Sequence, residues 1–139
     1  MRAAALLMPF AVAVAACFRH AGHTPPHVPP TPVVVSDELR EPCALPDDAE
    51  GAPRFQYRSW TLQTGSGETL QRLARCLVSG PRKGARVRVT ARGEGLDLAR
   101  ERARAVKAYL VQLGVAREDV VEAPLTEGAG VRIELAGEP

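Results

Sequence analysis

The residues of this chain best suited to chemistry are three histidines, three cysteines and a scatter of carboxylates. His20, His23 and His27 are spaced like metal ligands, yet they fall in a stretch broken by Pro25, Pro26, Pro29, Pro30, Pro32, Pro42 and Pro46. A coil of that kind supplies neither a helix face nor the second shell of carboxylates that holds imidazole ligands in place. No metal or other cofactor is expected. No histidine follows His27, so a Ser-His-Asp grouping has no base, and Gly93 and Gly95 lack dinucleotide-loop spacing. Glu118, Asp119 and Glu122 read as polar surface, and the chain reads as a non-enzyme. A net charge of +2 is too small to point to a polyanion partner and 4% aromatic residues supply no base-stacking platform, so nucleic acid is not an expected partner.

The cysteines have a clearer logic. Residues 1–16 carry one arginine, an apolar run and small residues immediately before Cys17. A membrane-spanning helix needs about 20 apolar residues. This run is shorter, contains Pro9 and is followed by Arg19 and His20, which is the pattern of a secretory signal. Val14-Ala15-Ala16-Cys17 resembles the lipobox of bacterial lipoproteins. That resemblance implies diacylation of Cys17 and cleavage before it, giving an anchor of two or three acyl chains. The other reading is ordinary cleavage after one of the alanines. Phe18, in place of the aspartate that favours inner-membrane retention in enteric bacteria, points to the periplasmic face of the outer membrane.

With Cys17 lipidated, Cys43 and Cys76 are left, and an exported chain meets oxidising conditions, so they are expected to form a disulfide. The alternative is a buried Cys76 thiol with a loose Cys43. The Pro-rich stretch reads as an extended tether, about 3.1 Å per residue, reaching up to roughly 60 Å from a membrane surface. The organisation is then a signal peptide over residues 1–16, anchor and linker over 17–50, and one domain over 51–139. Only a single small core fits in that remainder.

Within it, residues 55–62 alternate and are aromatic-rich, predicting a first strand. Leu70, Leu73, Ala74, Leu77 and Val78 predict an amphipathic helix, capped by Ser66 and ended by Gly80-Pro81. Residues 85–90 predict a second strand, with Val87 and Val89 inward and Arg86 and Arg88 wet. Ala99, Ala103, Val106, Leu110 and Leu113 trace the seam of a helix over 96–113, with Asp97 at its start and Gly114 past its end. Residues 120–123 and 131–135 predict two final strands. The order β-α-β-α-β-β implies an α+β fold of two layers, two helices on one face of a small mixed sheet.

The run Leu98-Ala99-Arg100-Glu101-Arg102-Ala103-Arg104-Ala105-Val106-Lys107-Ala108-Tyr109-Leu110 resembles the C-terminal domain family of OmpA. Leu113-Gly114-Val115, the closing Val131-Arg132-Ile133-Glu134-Leu135 and, upstream, residues 70–77 continue the likeness, which spans residues 55–136. The resemblance implies a peptidoglycan-associating domain that recognises the diaminopimelate of the stem peptide. A helix arginine, here Arg102, takes the carboxylate, and an acidic residue after the second strand, here Glu94, takes the ammonium. An arginine fork suits a carboxylate in both direction and energy. One departure stands out: the usual ligand loop is compressed to Ala91-Arg92-Gly93-Glu94-Gly95, roughly seven residues shorter, with Arg92 replacing a histidine or basic residue and no asparagine. Two functions follow. The first is a lipoprotein tethering outer membrane to peptidoglycan; the second is a structural or protein-interaction lipoprotein with envelope protein partners and a vestigial fold that binds no peptidoglycan.

Overall fold

The computed structural model describes residues 26–47 and 51–137. The leader, Cys17, His20 and His23 lie outside them. The chain forms strand β1 (Thr31–Val35), a single-turn helix α1 (Asp37–Arg40), two-residue strands β2 (Arg54–Phe55) and β3 (Leu62–Gln63), and helix α2 (Glu68–Val78). Strand β4 (Val87–Arg92), helix α3 (Leu96–Gln112), a 3-10 turn (Arg117–Asp119), β5 (Val120–Leu125) and β6 (Gly130–Leu135) follow.

The six strands make one sheet in the order β3-β2-β1-β6-β4-β5. Strand β6 is parallel to β1 and antiparallel to β4, and β4 is parallel to β5. Because side chains alternate, register decides which residues share a face. Val33 opposes Val131, Val35 opposes Ile133, and Ile133 opposes Val89. These valines and the isoleucine are all buried, and α2 and α3 bring Leu70, Leu73, Leu77, Ala103, Val106 and Leu110 into the same core. The architecture is the expected α+β sandwich of two layers. Arg88 and Arg132 stand on the opposite, solvent-facing side of the sheet with Glu134 between them, 4.0 Å and 3.6 Å away.

Helix α3 ends as its sequence dictates. Gly114 has φ +102, its N–H donates to the Val111 carbonyl, and the Val115 N–H donates to the Leu110 carbonyl at 3.1 Å. This paired closure uses the left-handed glycine that such a helix end needs, and buried Val115 supplies the apolar contact. At the start of α2 the capping residue is Gly67, not Ser66, whose hydroxyl accepts only a long bond from the Glu68 N–H.

Two expectations change. The stretch read as an extended tether contributes an internal strand and a helical turn: β1 lies between β2 and β6, and Leu39 of α1 is fully buried. Three successive valines after Pro32 favour a pleated, buried setting, and that preference outweighs the proline density around them. Cys43, just past α1, is bonded to Cys76 of α2, so the disulfide fastens this segment to the core. The second change concerns residues 55–62, which form not one strand but β2 and β3 joined by a turn. Arg58 occupies φ +54, and the Ser59 N–H donates to the Gln56 carbonyl at 3.0 Å. Val78, expected in the α2 seam, is exposed.

Candidate functional site

Strand β4 runs two residues further than its alternation suggests, to Arg92, and only residues 93–95 separate it from α3. So short a crossing requires close backbone approach. A Cβ on Gly93 would sit 2.9 Å from the Ala99 backbone nitrogen and 3.1 Å from the Leu98 side chain. Glycine is therefore demanded by space at this position. The compressed loop is packed onto the first turn of α3, and Glu94 projects from it with 58% of its side chain exposed.

Arg102 is not at an open rim. It is 3% exposed, on the apolar stripe of α3, with its guanidinium 5.4 Å from the centroid of the Phe55 ring. Nε donates to the Ser59 carbonyl at 3.0 Å, one terminal nitrogen to the Arg92 carbonyl at 3.3 Å, and the other to the Gln56 carbonyl at 3.3 Å. One side chain thus ties the end of β4 to the β2–β3 turn. Desolvation lowers the pKa of the guanidinium, while the nearby negative charge of Glu94 raises it. Arginine is basic enough to remain charged at neutral pH regardless. A guanidinium has five N–H donors, so three bonds to carbonyls leave two.

Arg102 and Glu94, singled out separately in the sequence, line one cavity of about 870 Å³. The cavity is bounded by the end of β4, the loop 93–95, the β2–β3 turn, the segment before β1 and the start of β6. Its size falls within the range of small-molecule sites. Exposed Arg92 and Arg132 also line it, as do Tyr57 and Arg58. Arg58 lies 3.6 Å from Glu94 in an exposed ion pair. The space therefore has two carboxylates, Glu94 and Glu134, the latter 3.6 Å from Arg132, with several guanidinium groups around them, and charges of both signs can take a small zwitterion.

Arg104, next but one to Arg102, is exposed and pairs with Glu101 at 2.7 Å, away from the cavity lining. Sequence reasoning missed Arg58 and Arg132 as members of the site. The alternation of β6 does place Arg132 on the open face, but nothing local marks Arg58 as the neighbour of Glu94. Among the described residues no cluster of His, Cys, Asp or Glu could hold a metal ion, and no helix is long and apolar enough to cross a membrane. His27 is exposed in the segment before β1.

No protein-family model matches the chain, and no curated protein does. Among solved structures it is similar to the OmpA-like domain of FopA1 from Francisella tularensis subsp. tularensis SCHU S4. Sequence identity is 18% and the TM-score 0.45, over 58% of this chain and 61% of that one. The chain thus spans about three-fifths of that neighbour's length.

Proposed function

We propose that this protein is a lipoprotein, anchored through Cys17 to the periplasmic face of the outer membrane, whose domain associates noncovalently with peptidoglycan by binding diaminopimelate. The observation that carries the binding role is the cavity in which Glu94 faces the same space as Arg92, Arg102 and Arg132. An amino acid with ammonium and carboxylate on one carbon needs both signs of charge within a few ångströms. Glu94 takes the ammonium. The carboxylate is held by the two remaining N–H donors of Arg102, supported by the exposed Arg92. Charge-assisted bonds of this kind are the stronger class.

Arg102 has a double duty in this reading. Its three bonds to carbonyls hold the walls of the cavity together, and its charge favours an anion there. The ion pair of Glu94 with Arg58 does not oppose binding strongly, because exposed pairs contribute only about 0 to 1 kcal/mol.

The decisive experiment is retention of the purified protein on isolated sacculi, with free diaminopimelate as competitor. Saturable retention that diaminopimelate abolishes is the expected result. A protein that ignores sacculi would overturn the reading and favour an assembly role for a fold without its ligand.

A further inference from the structure

The β2–β3 turn carries the largest exposed rings of the described residues: Tyr57 is 52% exposed and Trp60 58%. Large aromatic side chains gain the most from burial, so two of them left in solvent on one short turn call for an explanation. The turn is also unusually well held. Arg102 grips the Gln56 and Ser59 carbonyls, the Ser59 N–H closes the turn, and the Thr61 N–H donates to the Ser59 hydroxyl at 3.1 Å. Arg58 at its centre adopts a left-handed backbone, which costs a non-glycine residue about 1 kcal/mol or more. A well-held, strained turn with two exposed aromatic rings is the arrangement of a recognition surface.

The neighbouring polar groups narrow the ligand class. Exposed Gln56 donates through Nε2 to Oε1 of Gln63 at 3.0 Å, which places two planar amides beside the turn. Flat rings suit the C–H face of a pyranose, and amides suit its hydroxyl and acetamido groups. Tyr57 and Arg58 belong at once to this surface and to the lining of the Glu94 cavity, so the two are continuous.

We infer that Tyr57 and Trp60, with Gln56 and Gln63, form a saccharide subsite that takes an N-acetylated hexosamine of the glycan strand, next to the cavity for its stem peptide. The inference rests on the proposed peptidoglycan role only for the identity of the polymer.

Trp60 is the single tryptophan of the chain, so its fluorescence reports this surface alone. The mature protein is titrated with N-acetylglucosamine tetramer and with glycan strands stripped of stem peptides by an amidase. A saturable shift of the emission is expected with both. Trp60→Phe and Tyr57→Ala should each weaken retention on the stripped strands by about three- to tenfold while leaving the far-ultraviolet circular dichroism unchanged. An unchanged spectrum together with wild-type retention of both variants overturns the subsite. If diaminopimelate competes for sacculi but the sugars leave Trp60 silent, the saccharide subsite alone fails. If the sugars shift the emission while diaminopimelate does not compete, the subsite stands and the stem-peptide reading fails.

Discussion

The Arg102 Nε donates to the carbonyl of Ser59 across 3.0 Å, joining the middle of α3 to a turn 43 residues earlier in the chain. Removal of this side chain takes one donor from each of three carbonyls, of which that of Gln56 still accepts the Ser59 N–H, and leaves a hole beneath Phe55. Arg102→Ala should lower unfolding stability by about 2 to 4 kcal/mol, measured by urea denaturation. Arg102→Lys should recover only part of the loss, since one ammonium cannot replace a planar fork reaching three segments. Full stability of Arg102→Ala would show that the clamp is dispensable.

Glu94 and Arg58 offer a test with an unusual sign. Glu94→Gln should weaken binding to sacculi by about ten- to a hundredfold, as expected for loss of a charge-assisted contact. Arg58→Ala removes the competitor for that carboxylate and should strengthen binding, up to about fivefold, the limit set by the worth of an exposed ion pair. Both are measured by retention on sacculi. Weaker binding by Arg58→Ala would mean that Arg58 itself holds the ligand.

The sequence reading and the fold agree where periodicity is strong and part where it is interrupted. Helix α3, β4 and β6 are legible because each presents one clean repeat of buried positions. The Cys43–Cys76 pairing is what an exported chain with Cys17 acylated would be expected to form, and the structure contains it. Strand β1 is hidden because five buried side chains, Val33, Val35, Leu39, Cys43 and Leu45, sit among prolines whose local preference is for extended, unpaired chain. The burial of Arg102 could have been read: it lies three residues after Ala99 and four before Val106, inside the apolar stripe and not beside it. Its partners could not, because the carbonyls it satisfies belong to a turn that only the tertiary fold brings near.

Strand β1 makes the domain boundary testable. A chain beginning at residue 51, where the sequence places the start of the domain, lacks those five buried side chains and the disulfide. At about 1.5 to 3 kcal/mol for each large apolar side chain, the loss matches or exceeds the 5 to 15 kcal/mol that stabilises a typical domain. Circular dichroism should find the shortened chain unfolded and a chain beginning at residue 26 folded. A cooperative melt of the shorter one would refute this.

The disulfide closes a loop of 33 residues in sequence separation, worth about 3 to 4 kcal/mol on the chain-entropy estimate. Reduction, or Cys43→Ser with Cys76→Ser, should lower the melting temperature by well over 10 °C for a domain of this size. Identical melting with and without reductant would contradict the estimate.

Mass spectrometry of the mature protein provides the remaining check. The expected N-terminus is Cys17 carrying two or three acyl chains. An unmodified chain starting elsewhere would remove the anchor while leaving the domain's chemistry untouched.

If the chain is held at its N-terminal side, any pull on it reaches the domain through β1. That strand is bonded on both flanks, to β2 and to β6, and runs parallel to β6, so a force along its axis shears the ladder with β6 instead of peeling it one bond at a time. Should β1 nevertheless slip out, extraction stops at Cys43, which is covalently fixed to α2. The bond then acts as a mechanical stop, limiting forced extension to the residues ahead of it, passing the load into α2 at Cys76 and sparing β2 and β3, which lie inside the closed loop.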